Sequence, residues 1–178
     1  MCPPAAAKTI MPDALKVLHI EDSLTDARLL LHMLAHEGQD HIQVTQVKTM
    51  NNAKQHLLSQ HYHVALIDLM LPDAEGLASI LSLQADAPLL PIVVYTGMDG
   101  LDMAREAILA GAEDYAVKGQ TDAVTLVRKL YTAIDRHSLK RTLYGQLATL
   151  TSEIEVLQQA ARGTDKGGLD GDQSNRGA

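Results

Sequence analysis

From Lys16 onward the chain alternates short apolar runs with stretches whose apolar residues recur every three or four positions, five times over. That strand–helix alternation predicts an α/β, doubly wound fold: five parallel strands with helices on both faces. Lys16 to Ile20 reads as the first strand. The next helix starts near Ser23 or Thr25, carries Ala27, Leu30, Leu31 and Leu34 at helical spacing, and stops before Gly38. Ile42, Val44 and Val47 are separated by polar residues and suit an edge strand, whereas Val64 to Leu69 and Ile92 to Tyr95 are unbroken apolar runs that suit central parallel strands. Thr49 or Asn51 can cap the second helix, Glu75 and Gly76 lead into the third, and Asp99 or Asp102 opens the fourth. Tyr115 to Lys118 is the fifth strand, and a long helix follows from about Asp122.

Ligands of doubly wound sheets bind beyond the carboxyl ends of the strands, so the residues at those ends carry the chemistry. Here they are Glu21 and Asp22 after the first strand, Asp68 after the third, Thr96 after the fourth and Lys118 after the fifth. Carboxylates crowded together repel, and without a counterion at least one should have a raised pKa. A divalent cation removes that conflict. Mg²⁺ matches an all-oxygen donor set of one or two carboxylates, with Asp22 and Asp68 as the expected ligands. A free oxygen of Asp68 could then attack phosphorus. The Lys118 ammonium, the Thr96 hydroxyl and the metal could each meet one oxygen of the transferring group. A single Asp after a strand is ordinarily a cap or loop residue, and a single Thr or Lys there says almost nothing. The four strand ends together point to chemistry.

Composition narrows the alternatives. The net charge of −7 disfavours binding to a nucleic-acid backbone, and with five Tyr but no Phe or Trp there is little to stack on bases. No stretch supplies the roughly 20 apolar residues needed to span a bilayer, and the start lacks the apolar core of a secretory signal. A cytoplasmic protein without membrane or nucleic-acid partners is expected. The single cysteine, Cys2, sits in a Pro- and Ala-rich start and fits a reducing compartment.

The segments Val17-Leu18-His19-Ile20-Glu21-Asp22-Ser23, Ile67-Asp68-Leu69-Met70-Leu71-Pro72 with Gly76, Tyr95-Thr96-Gly97, and Asp114-Tyr115-Ala116-Val117-Lys118-Gly119 resemble the receiver domains of two-component response regulators, the chemotaxis-regulator-like family. Pro72 and Gly76 stand four and eight residues after Asp68, and Lys118 stands 22 after Thr96. The resemblance runs from about Lys16 to Arg136. It implies a flavodoxin-like strand order 2-1-3-4-5, with Asp68 as phosphoacceptor, Glu21 and Asp22 as the acidic pair around Mg²⁺, and the main-chain carbonyl of Met70 as a further ligand. It also implies Lys118 as phosphate-binding cation, Thr96 and Tyr115 as switch residues, and a histidine kinase or phosphotransfer protein as donor. One departure is Gly119, where many family members have proline joined to the lysine by a cis peptide bond. Inverting a 100-to-1 preference for the inactive state takes roughly 5.5 kcal/mol, within the reach of a few charge-assisted hydrogen bonds and a metal contact.

Beyond the expected receiver domain, residues 15–137, lie Leu143, Leu147, Leu150, Ile154, Leu157 and Ala161, spaced alternately by four and three. With Leu147, Ile154 and Ala161 at a and the others at d, the segment 138–162 reads as a short parallel coiled coil and predicts a homodimer through this helix. The alternative is an amphipathic helix packed on its own domain. Residues 1–14 and the polar run 163–178 are expected to be disordered. No DNA-binding or catalytic output domain is visible, so the expected output is contact with a downstream protein, with a fragment of a longer regulator as the alternative. An aspartate-nucleophile phosphatase of similar fold is disfavoured, because Met70 stands where its general acid, a second Asp, would be.

Overall fold

The computed structural model describes residues 14–164, with side chains described through 159. Five parallel strands form one sheet: β1 (Leu15–Ile20), β2 (Ile42–Val47), β3 (Val64–Ile67), β6 (Ile92–Thr96) and β7 (Asp114–Val117). Their order is β2-β1-β3-β6-β7. This is the predicted order 2-1-3-4-5, renumbered because a small antiparallel hairpin, β4 (Met70–Leu71) and β5 (Ala74–Glu75), intervenes in the chain. The fold is the doubly wound α/β sheet that the alternating pattern predicts, in the flavodoxin-like order that the resemblance implies.

The polar positions of β2 place it at an edge, and the unbroken apolar runs of β3 and β6 lie in the middle. Alternate side chains of each strand feed two separate cores. Leu18, Ile20, Ile67 and Val94 pack with Met50 and Ala53 of α2 (Met50–Ser59), Ile80 and Leu83 of α3 (Leu77–Asp86), and Ala107 of α4 (Leu101–Leu109). Val17, Leu66, Val93 and Tyr95 pack on the other face with Leu30 and Leu34 of α1 (Leu24–His36) and with Leu126 and Leu130 of α5 (Ala123–Thr164).

Local capping fixes where the helices begin. The Ser23 hydroxyl accepts from the Asp26 N–H at the start of α1, and the Thr49 hydroxyl accepts from the Asn52 N–H at the start of α2. Helix α4 departs from expectation. Gly100 stands at its cap with no side-chain bond, while Asp99 instead accepts from the Gln120 side chain and Asp102 lies in the first turn. The residue before the helix has φ +148°, which glycine tolerates and aspartate would not.

The chain divides between His137 and Ser138 into two compact units, and α5 contributes to both. In the second unit Leu143, Leu147, Leu150, Ile154 and Leu157 are all exposed. Ala161 lies beyond the described side chains. The segments expected to be disordered, 1–14 and 163–178, lie outside the described residues, apart from Ala14 and from Gly163 and Thr164, which continue α5. Among the described residues no helix is long and apolar enough to cross a membrane.

Candidate functional site

The carboxyl ends of β1, β3, β6 and β7 bring Glu21, Asp68, Thr96 and Lys118 together. Parallel pairing brings these ends to one rim: Ile20 lies opposite Ile67, so Glu21 and Asp68 follow their strands side by side, while Thr96, the last residue of β6, lies opposite Val117, one residue before Lys118. The Asp68 N–H donates to the Ile20 carbonyl and the Lys118 N–H to the Thr96 carbonyl, extending the ladder one residue past the strands.

Lys118 is the hub. Its Nζ lies 2.6 Å from Asp68 Oδ2, 2.5 Å from Glu21 Oε2 and 2.9 Å from Asp26 Oδ2. The Glu21 side chain is fully buried, that of Asp68 is nearly so, and that of Asp26 is 39% exposed. Burial alone would lower the pKa of the Lys118 ammonium, but its hydrogen bonds to Asp68, Glu21 and Asp26 outweigh burial and raise it. For Asp68, burial pushes the carboxyl up, but the Lys118 ammonium, the Thr96 hydroxyl and the Met70 N–H at 3.2 Å hold it below the ordinary carboxylate range. Glu21 goes the other way: burial pushes it up further than Lys118 and the Ser23 N–H pull it down. Glu21 is therefore the carboxylate with a raised pKa, and burial rather than crowding is the main cause, the Asp68 charge adding less.

Thr96 is fully buried, and its hydroxyl accepts from the Met98 N–H at 3.4 Å. Tyr115, on β7, is half-buried and its hydroxyl donates to the Met98 carbonyl at 2.7 Å. The two expected switch residues thus both bond to one residue of the β6–α4 loop. The Met70 side chain is exposed beside the site. Asp22, expected to hold the metal, is exposed after β1.

The carboxylates that converge are Glu21, Asp26 and Asp68, each offering an oxygen within 4.8 Å of the others. Three hard oxygen donors fit a small divalent cation better than a soft or thiophilic one. Asp26 is the residue that sequence reading missed. Its one signal is its position three residues after the capping Ser23, which an acid occupies for helix-end electrostatics alone.

The peptide between Lys118 and Gly119 is trans, since no cis peptide bond occurs among the described residues. Gly119 has φ +76°, in the left-handed region that proline cannot enter. The loop that aims Lys118 is built on glycine's conformational freedom.

A family model for the response regulator receiver domain matches residues 17–130. The chain belongs to that family. This receiver domain is 31% identical over 104 residues to the transcriptional regulatory protein BasR of Escherichia coli strain K12, a match covering 58% of this chain and 46% of that protein. It is 35% identical over 107 residues to the transcriptional regulatory protein PhoP of the same strain, covering 58% and 45% respectively. The chain thus spans less than half the length of these relatives. Among solved structures, the receiver domain of the sensor histidine kinase PA1611 from Pseudomonas aeruginosa PAO1, which carries a magnesium ion in its active-site cleft, matches with a TM-score of 0.56 and 27% identity, covering 68% of this chain and 98% of that one. A CheY-like receiver domain from Methanospirillum hungatei JF-1 matches with a TM-score of 0.59 and 21% identity, covering 71% and 98%, and supports the fold alone.

Proposed function

We propose that this receiver domain is a cytoplasmic phosphoacceptor that takes a phosphoryl group on Asp68 from a histidine kinase or phosphotransfer protein. The observation that carries this reading is the placing of Asp68 between the Lys118 ammonium at 2.6 Å and the buried Thr96 hydroxyl. The carboxylate is held ionised, as a nucleophile must be, and two groups that can bind phosphoryl oxygens stand beside it. Its chemistry acts on itself alone, through phosphorylation and autodephosphorylation.

Glu21, Asp22 and Asp68, with the Met70 carbonyl, are the proposed Mg²⁺ ligands; Glu21 and Asp68 belong to the converging acid cluster, whose hard oxygen donors suit such an ion, and Asp22 is exposed at its edge. Bound there, Mg²⁺ would neutralise charge that develops on the transferring group. Thr96 and Tyr115 carry the state of Asp68 to the β6–α4 loop through Met98. The exposed seam of α5 from Leu143 to Leu157 is the proposed homodimer contact, and signalling to a downstream protein passes through protein surfaces.

The test is intact mass after incubation with acetyl phosphate and Mg²⁺. A gain of one phosphoryl group in the wild type, lost in Asp68→Asn and on metal removal, supports the reading. No gain from small donors or from histidine kinases refutes it.

A further inference from the structure

Lys118 has three N–H donors, and all three have carboxylate partners: Asp68, Glu21 and Asp26. A phosphoryl oxygen can gain this cation only if a carboxylate gives it up. Glu21 is fully buried and has no water to turn to, whereas Asp26 is 39% exposed and can exchange the lysine for solvent. The end of α1 does not need the Asp26 carboxylate as a cap, because the Ser23 hydroxyl already accepts from the Asp26 N–H at 3.2 Å. Helix-end electrostatics explain an acid in this turn. They do not explain a 2.9 Å contact with a lysine 92 residues away on another element.

We propose that Asp26 is a positioning residue that competes with the phosphoryl group on Asp68 for the Lys118 ammonium, holding the lysine in the resting state and shortening the life of the phosphorylated one. The inference rests on Asp68 being the acceptor. In the transfer from acetyl phosphate, an Asp68 carboxylate oxygen forms the new P–O bond while the P–O bond to the acetyl oxygen breaks, and acetate leaves with that electron pair. Asp68 thereby exchanges one negative charge for up to two beside Asp26. Asp26 therefore opposes the product twice, by claiming its cation and by like-charge repulsion.

The experiment uses the full chain as wild type, Asp26→Asn, Asp26→Ala, Asp26→Glu and Asp68→Asn. Calorimetry measures the affinity for beryllofluoride, the phosphoryl mimic used on related receiver domains, in saturating Mg²⁺. Intact mass follows loss of the phosphoryl group after acetyl phosphate is removed. Asp26→Asn and Asp26→Ala should bind beryllofluoride roughly fivefold more tightly and retain the phosphoryl group longer by a similar factor, the size of a partly exposed ion pair. Asp26→Glu should resemble the wild type, and Mg²⁺ alone should bind Asp26→Asn no more tightly than wild type. A merely structural Asp26 would weaken ligand binding when replaced, so tightening is diagnostic. Equal or weaker beryllofluoride binding by folded Asp26→Asn overturns the inference while the acceptor reading stands. Failure of the wild type to behave differently from Asp68→Asn overturns both.

Discussion

The Tyr115 hydroxyl donates a 2.7 Å hydrogen bond to the main-chain carbonyl of Met98, the residue whose N–H approaches the Thr96 hydroxyl. One residue of the β6–α4 loop therefore bonds to both the Thr96 hydroxyl and the Tyr115 ring hydroxyl. If the ring moves inward when the Thr96 hydroxyl turns toward a phosphoryl oxygen, this bond belongs to the resting state. Tyr115→Phe removes it at a cost of about 1 kcal/mol to that state. Beryllofluoride affinity measured by calorimetry should then rise roughly fivefold. Unchanged affinity would mean that the bond survives activation.

Asp73, in the turn between β4 and β5, accepts from the Met50 N–H at 2.9 Å and the Asn51 N–H at 3.0 Å. It ties the loop after Asp68 to the start of α2 and satisfies donors that the helix itself cannot. Asp73→Ala should lower stability by about 1 kcal/mol in a urea titration. Burial raises the Asp73 carboxyl slightly, but the Asn51 and Met50 N–H groups prevail and its pKa lies below the ordinary value. A depressed folded-state pKa means that this stabilisation is complete above the unfolded value of about 3.9 and is lost as pH falls through the folded one. The stability difference between wild type and Asp73→Ala should be constant above pH 5 and shrink below pH 4, both roughly placed by that reference value. A difference that persists at the acid end would show that the charge is not what caps the helix.

How much of this was legible depends on whether a residue's role shows in the chain order. Asp68, Thr96 and Lys118 each end an apolar run, so the strand pattern alone puts them at one rim of the sheet. Asp26 sits inside a helix, where an acid near the N-terminus is ordinary; its partnership with Lys118 depends on how α1 lies against the end of β7, which no local pattern encodes. Strands β4 and β5, two residues each, are too short to carry a period. Gly100 was overlooked because Asp99 and Asp102, better capping residues in general, flank it, yet the backbone there has a positive φ.

Gly119 tests the loop that aims Lys118. A Cβ at this position would meet nothing within 4 Å, so the cost of replacing it is backbone strain alone. Gly119→Ala should lose about 1 kcal/mol of stability in a thermal melt, the cost of a left-handed conformation for a residue with a Cβ. Gly119→Pro cannot keep φ +76° at all and must rebuild the loop. It should lose more stability than Gly119→Ala and also bind beryllofluoride more weakly, because Lys118 is displaced with it. Equal behaviour of the two variants would show that the loop tolerates a proline at this position.

The seam of α5 makes the sharpest demand on the protein as a whole. Leu147 and Leu150 are 58% and 54% exposed, and Ile154 and Leu157 continue the stripe at 54% and 68%. A helix face of this kind in water gains most by pairing with a copy of itself, since the a and d side chains of each strand fill the holes of the other. In Leu150→Glu two carboxylates would face each other across the seam at a d position. The dimer should weaken by roughly 3 kcal/mol, about a hundredfold in dissociation constant. Ser152→Glu, at the outward-facing f position of the same heptad, should leave it unchanged. Sedimentation equilibrium distinguishes the two, and phosphoryl uptake on Asp68 should proceed in both, because that site lies wholly within residues up to His137. A wild type that sediments as a monomer with and without acetyl phosphate would rule out pairing through this seam.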